Sequence, residues 1–180
     1  MRILSYEYQD LEPTKWKFSK IDLGMLNLVV GDSGSGKTRF LNTLFNLGRN
    51  VVGKPKHLFI GHWTIRLEQN GSIYKWEVSI DSSKIGNLVR KEILVDETNP
   101  QGVPIVDRSE RQFLFNGKEL PQLSRESTSI ELLQDEDVIR PLYNGFYMIL
   151  RRDFSKDGLR KYISYEVASK NLLEQGVHFF

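Results

Sequence analysis

The period of apolar and polar positions changes several times along the chain, and each change predicts an element. Residues 2–8 are β-rich, a turn at 11–14 carries Pro13, and Trp16, Phe18 and Ile21 recur as in a second strand. Leu26, Asn27, Leu28, Val29 and Val30 then form an apolar run of strand length, which predicts a short buried strand. A loop of glycine and serine follows at 31–36. After it, Phe40, Leu41, Leu44, Phe45 and Leu47 fall at helical spacing, with Gly48 as the expected stop. From 57 to 116 the pattern alternates instead. Ile60, Trp63, Ile65 and Leu67 lead to the turn pair Asn70-Gly71, and Ile73, Trp76, Val78 and Ile80 follow it. Further strands are predicted at 88–95, 103–106 and 112–115, with breaks at Asn99-Pro100-Gln101-Gly102 and Asn116-Gly117. This reads as a β-meander. From 127 the pattern turns helical: Ile139, Leu142, Tyr143, Phe146, Tyr147, Ile149 and Leu150 make a broad apolar stripe, with Pro141 as a kink or restart. A strand is expected at 162–167 and a short helix at 169–175. The whole reads as one unit over 1–180, divided into 1–56 (strands, loop and first helix), 57–126 (β-meander) and 127–180 (mainly helical).

Composition narrows the classes. With 39% apolar and 27% charged residues the 180-residue chain is globular rather than disordered. Its formal net charge of +2 gives no reason to expect a strongly polyanion-seeking protein. It has no cysteine, which excludes thiolate catalysis, disulfide frameworks and Cys-based metal sites, and fits a reducing compartment. The first residues carry no apolar signal core, and no window approaches the uninterrupted apolar length of a membrane span. The expectation is a cytoplasmic protein with no membrane partner.

The candidate chemistry lies in the glycine loop. Gly31, Asp32, Ser33, Gly34, Ser35, Gly36, Lys37 and Thr38 match G-x-x-x-x-G-K-[ST] in full. Each residue type has a reason. Glycines let the backbone turn so that consecutive N–H groups face one anion. The helix starting near Lys37 adds its positive N-terminal end. The lysine ammonium reaches β- and γ-phosphates, and the Thr38 hydroxyl is the expected Mg²⁺ ligand. The four fixed positions arise by chance roughly once in 10⁴–10⁵ windows. Gly31-Asp32-Ser33-Gly34 also spells a serine-nucleophile motif, and His57 is present. The Ser-before-His order and the lysine that follows argue against a protease. Arg39 follows the threonine and is a candidate neighbour of the phosphates, against the plainer reading of a solvated first-turn residue. Tyr8, Trp16 and Phe18 are candidate base-stacking aromatics, against plain core packing.

Small P-loop kinases alternate strand and helix after the loop, and GTPases carry N-K-x-D. This chain does neither. Residues 16–38 resemble instead the opening of ABC-type ATPase heads of the RecF, structural-maintenance-of-chromosomes and OLD-nuclease kind, with MLNLVVGDSGSGKTRFLNTL at 25–44 as the matching stretch. The meander with RKEILVDETNPQGVPIVDRSERQFLFNGKEL and the later STSIELLQDEDVIRPLYNGFYMIL extend the likeness to about residue 150. Asp32-Ser33 stands where the family usually has Pro/Asn, and Thr38 where serine is commoner. The resemblance implies an α/β P-loop fold, an ABC-ATPase-like N-terminal lobe with an antiparallel β-subdomain and a C-terminal helical part. It implies ATP and Mg²⁺ as ligands. Its partners would be a second ATPase head in a homodimer, or a missing C-terminal lobe, with DNA as a further partner in repair or defence. No LSGG-like signature occurs in the chain, so the expectation is an N-terminal lobe that binds nucleotide and needs other segments for hydrolysis.

One alternative stays open. Ile93, Leu94 and Val95 lead into Asp96 and Glu97 as a Walker B strand does, with Asp96 on Mg²⁺ and Glu97 orienting water in a self-contained ATPase or kinase. The run is short, follows Lys91-Glu92 and ends at Thr-Asn-Pro, as exposed hairpin ends do. A degenerate P-loop acting as an interaction module is the third reading. Arg151, Arg152, Lys156, Arg160 and Lys161 form the densest basic cluster, a candidate phosphodiester contact interrupted by Asp153 and Asp157.

Overall fold

The computed structural model describes residues 1–11, 16–52, 57–98, 102–121 and 123–149. The strand expected at 162–167, the helix at 169–175, the basic cluster at 151–161 and most of the turn around Pro13 lie outside the described residues.

The described chain is mixed α/β, built on one eight-stranded antiparallel sheet. In chain order the elements are β1 (Arg2–Gln9), β2 (Lys17–Asp22), α1 (Lys37–Val52), β3 (Gly61–Gln69), β4 (Ser72–Ser83), β5 (Gly86–Asp96), β6 (Pro104–Arg108), β7 (Phe113–Phe115), β8 (Lys118–Glu119), α2 (Ser129–Leu132) and α3 (Arg140–Tyr147). The strand order is β2-β1-β3-β4-β5-β6-β7-β8. The meander is therefore as the alternating pattern predicts. Asn70 and Asn116 take left-handed backbone angles (φ 53° and 49°) ahead of Gly71 and Gly117, the geometry tight hairpin turns require.

Alternation puts two rows on one face, one apolar and one carrying a buried charged pair. Tyr6, Ile65, Trp76, Leu94, Val106 and Phe115 lie opposite one another across six strands, as do Tyr8, Trp63, Val78, Glu92, Arg108 and Phe113. The helices cover this face. The Trp63 indole N–H donates to the Thr43 carbonyl of α1, Tyr6 donates to the Thr43 hydroxyl, and Trp76 meets Phe146 of α3 edge-on at 5.2 Å. The other face carries Glu7, Thr64, Glu77 and Asp107. Thr128 caps α2 by accepting the Glu131 N–H, the S/T-x-x-E arrangement of a capping box.

Two expectations are corrected. Gly48 does not stop α1. It is buried inside the helix, where the Ile149 side chain sits 3.3 Å from the place a Cβ would occupy, so its role is close packing. The run 26–30 is neither a strand nor buried: Leu26, Leu28 and Val30 stand 90%, 86% and 76% exposed. A strand needs neighbours to take up its backbone groups and side chains, and no described strand lies beside this one. The sheet is antiparallel, unlike the mostly parallel sheet expected of a P-loop NTPase, so the P-loop fold as a whole is not among what the described residues form. Among the described residues no helix is long and apolar enough to cross a membrane.

Candidate functional site

The glycine loop leads into the first turn of α1, beside the β1–β2 end of the sheet. Gly34 and Gly36 have φ of 84° and 94°, which L side chains rarely adopt. The Ser35 N–H donates to the Asp32 carbonyl at 3.2 Å, and the Phe40 N–H closes the first helical turn on the Gly36 carbonyl at 2.9 Å. The Lys37 ammonium folds over the loop. It donates to the Gly31 carbonyl at 2.6 Å, the Asp32 carbonyl at 2.7 Å and Ser35 Oγ at 3.3 Å. The cation is thus held at the loop's mouth by the loop's own carbonyls, and its position costs little further ordering when an anion arrives. Gly31, Asp32, Ser33, Gly34, Ser35 and Thr38 are solvent-exposed, so the loop is open to a ligand.

Two tyrosines anchor the sheet beneath it. Burial pushes both the Tyr6 and Tyr8 phenols above their ordinary pKa, and the Asp10 carboxylate adds to the effect on Tyr8. The Tyr8 hydroxyl donates to Asp10, and Asp10 pairs with the Arg39 guanidinium. Arg39 also lies over the Trp16 ring, with Cζ 4.5 Å from its centroid. Trp16 in turn touches the loop: its Cζ2 lies 3.8 Å from where a Cβ on Gly36 would be. Phe18 packs against Tyr6 and Phe40 at centroid distances of 5.2 and 5.0 Å, in the core rather than at the loop. The structure therefore brings Arg39 and Trp16 to the loop and leaves Phe18 and Tyr8 beneath it.

Asp96 and Glu97 are not brought there. Asp96 pairs with Tyr74, Tyr74 with Leu67, and Leu67 with Ile3, which is seven residues before Asp10 along the chain. At about 3.3 Å per residue this puts Asp96 roughly 20 Å along the sheet from the Arg39–Asp10 pair. Glu97 accepts from Arg66 Nε at 2.7 Å, and Asp96 Oδ1 accepts the Thr98 N–H at 2.9 Å and the Thr98 hydroxyl. Both carboxylates serve the end of a hairpin strand.

Sequence reasoning missed a fully buried ionic cluster. Glu92 and Arg108 are 0% and 1% exposed, opposite each other on β5 and β6, with 3.7 Å between charges. Glu92 accepts from Trp76 Nε1 at 3.0 Å and from the Ser129 N–H at 2.8 Å. Arg108 donates to the Ser127 and Ser124 carbonyls at 2.9 and 2.6 Å, and lies 4.9 Å from the Phe113 centroid. Burial pushes the Glu92 carboxyl above the ordinary carboxylate range, against the lowering effect of Ser129, Arg108 and Trp76. The cluster ties the 123–129 segment, and through it α2, to the sheet. Glu92 stands in phase with the buried Leu94, and that was the available signal. Compared with family models, curated proteins and solved structures, the chain matches none of them.

Proposed function

We propose that this chain binds ATP with Mg²⁺ through Gly31–Thr38, as the N-terminal lobe of an ABC-type ATPase head. The observation that carries the reading is the Lys37 ammonium held over the Gly31 and Asp32 carbonyls, at the start of a sixteen-residue helix. Left-handed glycines in that loop favour convergent N–H groups, and the helix N-terminus adds positive potential. Thr38, in the first turn, would hold Mg²⁺.

The bare run 26–30 supports a lobe that other segments complete. It is apolar and exposed, and it leads straight into the glycine loop. The distance of Asp96 and Glu97 from the loop favours an acidic strand supplied from elsewhere over a self-contained site. Coupling of head dimerisation to DNA repair or defence is the part of the proposal carried by the sequence resemblance of 16–38 and the elements after it.

The test is ATP binding and phosphate release by the chain in Mg²⁺, beside a Lys37→Ala control. Binding without turnover is expected, with affinity reduced at least about tenfold in the control, the size of a lost charge-assisted contact. Absence of binding, or equal binding by the control, overturns the proposal. Turnover abolished by Lys37→Ala overturns the lobe-only part and keeps the nucleotide.

A further inference from the structure

We infer that Arg90 and Arg125 form a binding site for a phosphate-class dianion, which the chain's own Glu110 carboxylate covers and the ligand displaces. The site does not rest on nucleotide binding at the glycine loop. β5, which carries Arg90, lies three strand spacings, about 14 Å, from β1.

Three parts of the chain meet at one oxygen. Glu110, on the turn between β6 and β7, accepts at Oε1 from Arg90 Nη1 at 2.6 Å and from Arg125 Nη2 at 3.1 Å. Backbone carbonyls hold both guanidiniums from behind. Arg90 Nη2 donates to the Ser82 carbonyl at 3.2 Å, and Arg125 Nε donates to the Val89 carbonyl at 2.8 Å. The Val89 N–H in turn donates to the Arg125 carbonyl at 2.9 Å, which fastens that residue to β5. Two cations placed this way draw an anion to the point where they converge. Their effect shows on Glu110 itself: hydrogen bonds from Arg90 and Arg125 hold its carboxyl below the usual carboxylate range.

Exposure separates the fixed members from the exchangeable one. The Glu110 side chain is 55% exposed, against 35% for Arg90 and 22% for Arg125. An ion pair so open to water is weak, so the carboxylate can give way while the arginines stay. Charge then selects the ligand. Glu110 sets one negative charge, through one oxygen, against two guanidiniums. A phosphate dianion matches both charges, and its several oxygens accept from both forks at once. A free carboxylate offers nothing that Glu110 does not already supply. Arg111, exposed on the same turn, adds a further cation.

The experiment titrates the full chain with inorganic phosphate, O-phosphoserine and acetate at mildly alkaline pH. Mg²⁺ is left out, and the Lys37→Ala background removes the cation of the glycine loop. Phosphate is expected to bind saturably. Glu110→Gln is expected to tighten it about tenfold, a gain that a folding defect cannot imitate. Arg90→Gln is expected to weaken it about tenfold. Phosphate binding that Glu110→Gln leaves unchanged or weakens overturns the inference. So does binding that survives Arg90→Gln, acetate binding as tight as phosphate, or no saturable binding by the Glu110→Gln variant. Tighter binding of O-phosphoserine than of phosphate supports the site and names a phosphorylated side chain as the source. Equal binding supports it with the free ion as the source.

Discussion

Two apolar stretches of strand length meet opposite fates in this molecule. Trp63, Ile65 and Leu67 of β3 are buried, while Leu26, Leu28 and Val30 ahead of the glycine loop stand in solvent. Their apolar content does not separate them. β3 lies between β1 and β4, and α1 closes over its inner face, whereas the 26–30 run has no described strand on either side. The true edges of the sheet are guarded. β2 carries Lys17, Lys20 and Asp22, and β8 is two residues long. The run at 26–30 has no such guard and pairs with no described strand. An apolar run states a demand for burial, and the neighbours decide whether it is met.

That contrast can be broken at several points. The largest expected effect is at the buried ion pair. Arg108→Ala leaves the Glu92 carboxylate uncompensated and should cost about 3–5 kcal/mol, read as a lower urea midpoint at unchanged slope. A loss below about 1 kcal/mol would mean that the cluster does not hold the sheet to the 123–129 segment. Ile65→Ala, in the covered strand, should cost about 2–5 kcal/mol in the same assay. Gly61→Ala comes next, because its Cβ would meet the Tyr8 ring at 2.6 Å and the Trp63 ring at 2.9 Å. The aromatics must shift, at about 1–3 kcal/mol.

The pH dependence is smaller. Glu92 has a folded pKa raised by burial above its unfolded value, so its contribution is fully present below the ordinary carboxylate range. It is lost as pH rises through the raised folded value. Stability measured across that window should decline with pH, and Glu92→Gln should remove this part of the slope. An unchanged slope in Glu92→Gln would assign the titration to another group. Smallest of all is Leu28→Ala, within about 0.5 kcal/mol of the parent. The matched pair Ile65→Ala and Leu28→Ala is the sharpest form of the comparison, since equal losses would show the run buried after all. If a completing segment is added, Leu28→Ala should begin to cost stability.

The sequence made the meander legible because its signals are local. The alternation of Trp63, Ile65 and Leu67, and the Asn-Gly pairs at 70 and 116, need no knowledge of distant residues. The glycine loop's own contacts are local in the same way: eight adjacent residues carry the motif, and Lys37 finds its acceptors within six positions. What failed depended on partners far along the chain. The fate of 26–30 turned on strands that its own residues do not specify. Gly48 reads as a helix stop until Ile149, a hundred residues away, fills the space above it. Glu92 is held by Arg108, Trp76 and Ser129, each sixteen or more residues away along the chain. Arg39 was legible as a neighbour of the loop, but its contact with Trp16 and its pairing with Asp10 were not, because both partners lie more than twenty residues away along the chain.

The strand order has a consequence for how the chain comes together. From β3 onward each strand lies beside the one made just before it, so that part of the sheet can grow as the chain lengthens. The β1–β3 pairing differs, for it encloses β2, the glycine loop and α1 within one closed segment. During synthesis Tyr8 has no Trp63 to meet until the whole loop and helix have been made. The ring that shuts around the glycine loop is the one long closure among the described strands, and its entropic cost falls on that step of assembly.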